Sequence, residues 1–242
     1  MTTESARYGW TVLLPVKVLA QAKSRLAQLA GERRHELALA LASDTVSAVV
    51  ACPEVARVIV VTSDPVAGPR LSSLGARIIP EARLPARNRD ARDAGDGRPR
   101  PDGSQRPLNA ALLRGATMAV RRWPGTGLAA LTADLPALRP AELAMALRAA
   151  AEAAGPSGAA FVPDAAGVGT TMYAVVSGGE FRPMYGGASR ARHAAGGATE
   201  LALDGIAGLR QDVDTPDDLR AAVALGVGPR TAEVAAELLA DA

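Results

Sequence analysis

Three six-residue runs, Thr11 to Val16, Arg57 to Thr62 and Gly127 to Thr132, are apolar almost throughout, and each leads into polar or charged residues. A continuous apolar run of that length suits a strand buried on both faces, because a half-exposed strand would alternate. Between the runs the spacing turns helical. In Glu32 to Val50 the residues Leu37, Leu41, Val46, Val49 and Val50 give one mainly apolar face, and helices also fit Leu108 to Arg122 and Pro140 to Ala154. Strands that alternate with helices of ten or more residues predict a mainly parallel sheet with helices on both faces, a three-layer α/β/α sandwich. Shorter strands fit Ala76 to Ile79, Ala159 to Val162 and Leu209 to Val213, with a hairpin excursion in the Gly-punctuated stretch Gly167 to Tyr185. Further helices are expected from Ser189, Thr215 and Pro229. The 242 residues, 48% of them hydrophobic, suffice for one domain with a packed core. In such a sheet ligands bind beyond the carboxyl ends of the strands, so chemistry is expected at the strand ends.

Charge type and position narrow the function. Of 27 basic residues only Lys17 and Lys23 are lysine, and they lie within seven residues of each other after the first strand. The stretch Arg83 to Arg106 holds seven Arg and four Asp without apolar period, and reads as a mobile loop within the single domain. Outside it the chain has 20 basic and 21 acidic residues, so the pI near 9.0 belongs to that loop. The loop's Asp90, Asp93, Asp96 and Asp102 and its lack of aromatics argue against a nucleic-acid-binding module. A single cysteine, Cys52, excludes an internal disulfide and a multi-cysteine zinc site. No apolar run is long enough to span a bilayer, so no membrane partner is expected, and a cytoplasmic location is the plain expectation.

Four strand-end or loop segments carry candidate chemistry. Lys17, Lys23 and Arg25 follow the first strand and suit a polyphosphate, although a solvated basic turn has the same composition. Neither a P-loop nor a G-x-G-x-x-G sequence is present there. Asp134 ends the run from Gly127 and is placed to hold a divalent cation. Asp212 and Asp214, two apart in the expected strand Leu209 to Val213 and just past it, would share a face; Asp214 as helix cap accounts for one of them only. Three acids from two strand ends suit Mg²⁺. Glycines at 167, 169, 186 and 187, with Thr171 and Ser189 beside them and Arg190 and Arg192 close by, suit a small phosphorylated or carboxylated substrate, while hairpin turns alone would also explain the glycines.

Five segments in order, PVKxLxxAKSRL from Pro15, LTADLPAL from Leu131, DAxGxGTT from Asp164, YGGxSRARH from Tyr185 and DVDTPDDL from Asp212, resemble the guanylyltransferases of coenzyme F-420 biosynthesis, which join a three-carbon phosphorylated acid to GMP. The resemblance implies the fold of nucleotide-diphosphosugar transferases, a Rossmann-like sandwich. It implies that Lys17, Lys23 and Arg25 hold and activate the GTP phosphates with Asn109 beside the nucleotide, that Asp134, Asp212 and Asp214 bind Mg²⁺, and that Thr171, Gly186 and Ser189 bind the acid. The acid would be phosphoenolpyruvate, to which an Arg- and Ala-rich composition inclines the reading, or 2-phospho-L-lactate. A molybdenum-cofactor guanylyltransferase fits less well, since its Gly-rich loop after the first strand is missing; a catalytically silent nucleotide-binding protein is the alternative from another class. The family pattern has Gly where this chain has Pro107 and Phe where it has Tyr185. An unstable phosphoanhydride product would suit direct handover to the next enzyme; the sequence leaves the oligomeric state open.

Overall fold

A computed structural model describes residues 9–19, 23–81, 106–153, 155 and 157–240. Most of the expected Arg-rich loop therefore lies outside the described residues. Among those described, a seven-stranded sheet runs in the order β3-β2-β1-β4-β6-β5-β7. The strands are β1 (Trp10–Pro15), β2 (Val55–Val61), β3 (Arg77–Ile79), β4 (Gly127–Leu131), β5 (Ala159–Pro163), β6 (Thr170–Val175) and β7 (Thr199–Glu200). All pairings are parallel except those of β6, which runs antiparallel to both β4 and β5. The glycine-punctuated excursion is thus a strand inserted between two parallel neighbours.

The helices are α1 (Ala27–Ala30), α2 (Arg34–Val50), α3 (Ala67–Ser72), α4 (Arg106–Arg122), α5 (Pro140–Ala153), α6 (Ser189–Ala195), α7 (Ala207–Arg210), α8 (Pro216–Leu225) and α9 (Pro229–Ala240). Alternation along β1 sends Val12 and Leu14 to one face of the sheet, with Val46 and Val49 of α2 and Leu143 and Leu147 of α5. Leu13 points to the other face, with Leu112 and Ala116 of α4. Two helical layers therefore cover the sheet, as its two-faced apolar strands require.

Leu209 to Val213 is not a strand. Residues 207–210 form α7, and 211–213 have no regular structure. Leu209 and Val213 are both fully buried, and a spacing of four between apolar residues is helical as readily as it is extended over so short a run. The segment packs closely enough on its neighbour to require glycine at 208, since a Cβ there would lie 2.2 Å from the Ala137 carbonyl oxygen.

The last helix is held by an acid from another element. Asp44, buried in α2, accepts from the Thr231 amide at 2.7 Å in the first turn of α9 and from Arg230 Nη1 at 3.3 Å. Gly228 has to be glycine for this contact, because a Cβ there would meet Asp44 Cγ at 2.4 Å. Asp44→Ala leaves the amide of Thr231 without its partner, and urea denaturation is expected to show a loss of about 2 kcal/mol.

Candidate functional site

Parallel β1 and β4 are neighbours, so their carboxyl ends open on the same edge of the sheet. Because β6 is reversed, its first residue, Thr170, comes to that edge too, paired with Pro163 at the end of β5. Four chain crossings thus deliver Lys17, Asp134, Asp164 and Thr170 to one cavity of about 410 Å³. Lys23, Arg25, Gly186, Gly187, Ser189, Asp212 and Asp214 also line it.

The two acids after α7 reach the cavity by a device other than a strand. Val213 is buried among Leu37, Leu219 and Leu238, and its amide donates to the Asp134 carbonyl at 3.2 Å. Anchoring the middle residue inward turns its two neighbours, Asp212 and Asp214, to the cavity. Asp214 is not the cap of α8. Thr215 caps it, accepting from the Asp218 amide in a reciprocal capping box, while the Asp218 carboxylate takes the amides of Thr215 and Asp214. Helix capping therefore accounts for neither Asp212 nor Asp214.

Lys23 sits among these acids. Its ammonium pairs with Asp134 Oδ2 and, at 3.0 Å, with Asp214 Oδ1. Burial disfavours the charged ammonium, but the two carboxylates outweigh that and raise its pKa above the usual lysine range. The backbone of Lys23 is left-handed, φ 56°, a conformation unfavourable for a side chain with a Cβ and retained where the surroundings fix it. Asp212 has the opposite environment. Burial and the like charges of Asp134, Asp214 and Asp164 push its carboxyl up to about 7, against a smaller opposing effect of Lys23. For Asp214, burial is outweighed by Lys23, Arg25 and Lys17, and its pKa is lowered.

The donor set suits a divalent cation bound together with substrate oxygens. Asp134 Oδ1 is buried without a hydrogen-bond partner among the described residues, and four carboxylates here face one buried ammonium. Among the described residues no three acids close around a single point as a ready cage. A magnesium ion needs no such cage, since it is commonly held by one or two carboxylates plus phosphate oxygens.

Two expected contacts are placed elsewhere. Asn109 does not line the cavity. Its side-chain amide donates to the Tyr185 carbonyl at 3.1 Å and accepts from the Tyr185 amide at 3.0 Å, so it fixes the loop that carries Gly186. Thr171 is fully buried outside the cavity lining, with an Oγ1 that has no partner among the described residues. Arg190 pairs with Glu200 and donates to the Gly167 carbonyl, while Arg192 donates to the carbonyls of Met184 and Gly186 and so braces the loop that carries Gly186. Pro107 falls in the first turn of α4, where its missing amide costs no helical bond.

Asp164 opens one of the conspicuous glycine-rich segments and joins the cavity from the end of β5. Its carboxylate accepts from the amides of Val168 at 2.9 Å and Gly169 at 2.7 Å, closing the β5–β6 turn, and it lines the cavity. The spacing Asp-x-x-Gly-x-Gly was the available signal, because a carboxylate that collects amides a few residues on is an Asx-type turn.

His193 is fully buried against Phe161, Tyr173 and Tyr185, with the Tyr173 ring stacked at 4.6 Å. Burial, aided by neighbouring Arg192, lowers its pKa from 6.5 to about 4. Between those values the unfolded chain takes up a proton that the folded chain refuses, so stability falls as the pH drops through this window. Comparing wild type with His193→Gln in urea, from pH 7 to 4, should show about 3 kcal/mol more acid loss in the wild type.

No model of a known protein family matches the chain. Three named proteins are similar over nearly its full length. A phosphoenolpyruvate guanylyltransferase of Thermomonospora curvata is 52% identical over 98% of this chain and 93% of its own. Those of Streptosporangium roseum and Streptomyces coelicolor are each 52% identical, over 92% and 95% of this chain and 89% and 97% of their own. Among solved structures, a protein described as a nucleotide-diphospho-sugar transferase of Desulfovibrio desulfuricans superposes with a TM-score of 0.54 at 12% identity, over 89% of this chain and 96% of that one, which is a likeness of fold. The described residues include no helix long and apolar enough to cross a membrane.

Proposed function

The chain belongs to the phosphoenolpyruvate guanylyltransferase family, and from that premise we propose that it transfers GMP from GTP to phosphoenolpyruvate, releasing pyrophosphate, as a step in coenzyme F-420 biosynthesis. The observation that carries the reading is the meeting of opposite charges in one cavity, which Lys17, Lys23 and Arg25 line together with Asp134, Asp164, Asp212 and Asp214. An oxygen of the phosphoenolpyruvate phosphate bonds to the α-phosphorus of GTP, and the bond from that phosphorus to the β-bridging oxygen breaks. The attacking oxygen is already anionic, so the site needs no general base, and catalysis is alignment plus neutralisation of charge.

Lys17 and Arg25, at the cavity mouth after β1, hold the departing pyrophosphate. Lys23 reaches the α-phosphate from its seat between Asp134 and Asp214, where it is kept fully charged. Mg²⁺, held by Asp134 and Asp212 with Asp214 alongside, would supply electrostatic polarisation of the phosphate being attacked. Gly186 and Ser189 bound the part of the cavity left for the acid, and Asn109 serves that end by holding Tyr185.

The test is an acceptor panel of purified protein, GTP and Mg²⁺ with phosphoenolpyruvate or 2-phospho-L-lactate, the nucleotide product being identified by mass. A GMP conjugate with phosphoenolpyruvate is expected. A conjugate with 2-phospho-L-lactate alone would overturn the choice of acceptor, and none with either would overturn the reading. Chelation of Mg²⁺ by EDTA should stop the reaction, and added Mg²⁺ should restore it.

A further inference from the structure

Asp64, buried just past the carboxyl end of β2, commits its two carboxylate oxygens to different parts of the chain. Its Oδ1 accepts from the amides of Val66 at 2.9 Å and Ala67 at 2.8 Å, which closes the turn into α3. Its Oδ2 accepts from the Leu19 amide at 2.8 Å, 45 residues away. Local turn chemistry accounts for the first oxygen and leaves the second unexplained. Burial disfavours the carboxylate, but the amides outweigh that and lower its pKa, so the group stays ionised. An ionised acceptor makes the stronger hydrogen bond.

The bond to Leu19 completes a two-point suspension of the basic turn after β1. Val16 donates its amide to the Val61 carbonyl at 3.0 Å, and the side chains of Val16 and Leu19 are both buried in the same core layer. Lys17, exposed at the cavity, thus has an anchor on either side of it, and both anchors belong to the end of β2. Resting on the proposed use of Lys17 to hold the pyrophosphate of GTP, we infer that Asp64 is a positioning residue for the nucleotide: through the Leu19 amide it fixes the backbone from which Lys17 reaches the phosphates. A lysine has a long flexible stem, so a backbone held in place beforehand lowers the ordering cost of binding. The Asp64 carboxylate itself is absent from the cavity wall and acts only through the turn.

Asp64→Asn separates the two oxygens. The side-chain carbonyl can still take the amides of Val66 and Ala67, whereas the NH2 group then faces the Leu19 amide, donor against donor. KM for GTP should rise about ten- to a hundredfold, with KM for phosphoenolpyruvate within about twofold of the wild type. Asp64→Ser, which has one oxygen for the turn and no reach to Leu19, should show the same split. In the ligand-free protein, hydrogen exchange at the Leu19 amide should speed at least about tenfold in both variants, while the amides of β1 keep their protection. In a Lys17→Met background Asp64→Asn should add little to the KM for GTP, because the group it positions is gone. Asp44→Ala, which lowers stability at α9, should leave both KM values unchanged, so loss of stability alone does not imitate the effect. An unaltered KM for GTP in the two Asp64 variants overturns the inference. An equal rise for both substrates, the mark of a structural role, does the same, as does full additivity with Lys17→Met. A wild-type protein that forms no GMP conjugate defeats the functional reading instead. Wild-type turnover beside an indifferent Asp64→Asn defeats this inference alone.

Discussion

Asp212→Asn is expected to reduce GMP transfer by at least about a thousandfold and, in the same protein, to stabilise the ligand-free fold by roughly 2 kcal/mol at pH 8. The two effects come from one cause. Burial and three neighbouring carboxylates push the Asp212 carboxyl from 3.8 to about 7, so at pH 8 the folded chain carries a charge that its surroundings disfavour. The sign follows from proton counting. Between pH 3.8 and 7 the folded state keeps a proton that the unfolded chain has lost, and stability falls as the pH rises, reaching its low plateau above 7. Asparagine carries no charge to repel, so the variant should lose that part of the slope. Mg²⁺ should raise the melting temperature of the wild type and do so much less in the variant, which gives a readout independent of turnover. A scaffold carboxylate would behave otherwise: its replacement would lower stability along with activity. Lower stability in Asp212→Asn, or turnover near the wild-type level, would remove Asp212 from the site.

What the sequence could reveal depended on how locally each property is determined. The layered α/β architecture was legible because it rests on apolar runs such as Arg57 to Thr62, whose burial on both faces leaves few packings open. The strand-end rule then led to Lys17 and Asp134, since their places follow from being next to β1 and β4. Asp212 and Asp214 were found for a reason that does not hold: they lie in no strand, and what turns them inward is the anchoring of Val213 against Asp134 and α9, a contact between segments some 80 residues apart. Asn109 shows the complementary limit. Its segment resembled a nucleotide contact, but the amide is satisfied by the backbone of Tyr185, 76 residues away, and no local pattern carries that pairing. Likewise β7 has only two residues and α3 six, too few for periodicity to register. The Asp64 carboxylate, which accepts from Ala67 at the start of α3 and from Leu19 beside the cavity loop, was visible only as turn chemistry.

Lys23→Gln should be the most damaging single change, with turnover lowered by a thousandfold or more and the ligand-free protein destabilised by about 3 kcal/mol at pH 8. Glutamine keeps a polar, flexible side chain, slightly shorter than that of lysine, so what is chiefly lost is the charge. In the wild type the ammonium pairs with Asp134 and Asp214 at once, and removing it leaves four cavity-lining carboxylates, Asp134, Asp164, Asp212 and Asp214, without their buried counter-charge. Removing one partner of a buried pair costs more than the pair itself contributes, because the partner left behind is desolvated and uncompensated. The destabilisation should therefore shrink as the pH falls and these carboxylates take up protons, and it should shrink when Mg²⁺ is added. Lys23 and Asp212 act on stability with opposite signs through the same cluster, so they should couple. In the Lys23→Gln background Asp212→Asn is expected to add more than the roughly 2 kcal/mol it adds to the wild type, measured in urea, while the double variant remains as inactive as Lys23→Gln. Recovery of stability without recovery of turnover would separate the two demands on this cavity: holding the acids together in the folded chain, and presenting one fixed positive charge to a phosphate. Simple additivity of the two stability changes would mean that Lys23 and Asp212 do not share a field, and Lys23 would then have to owe its left-handed backbone and its place between Asp134 and Asp214 to chain geometry alone.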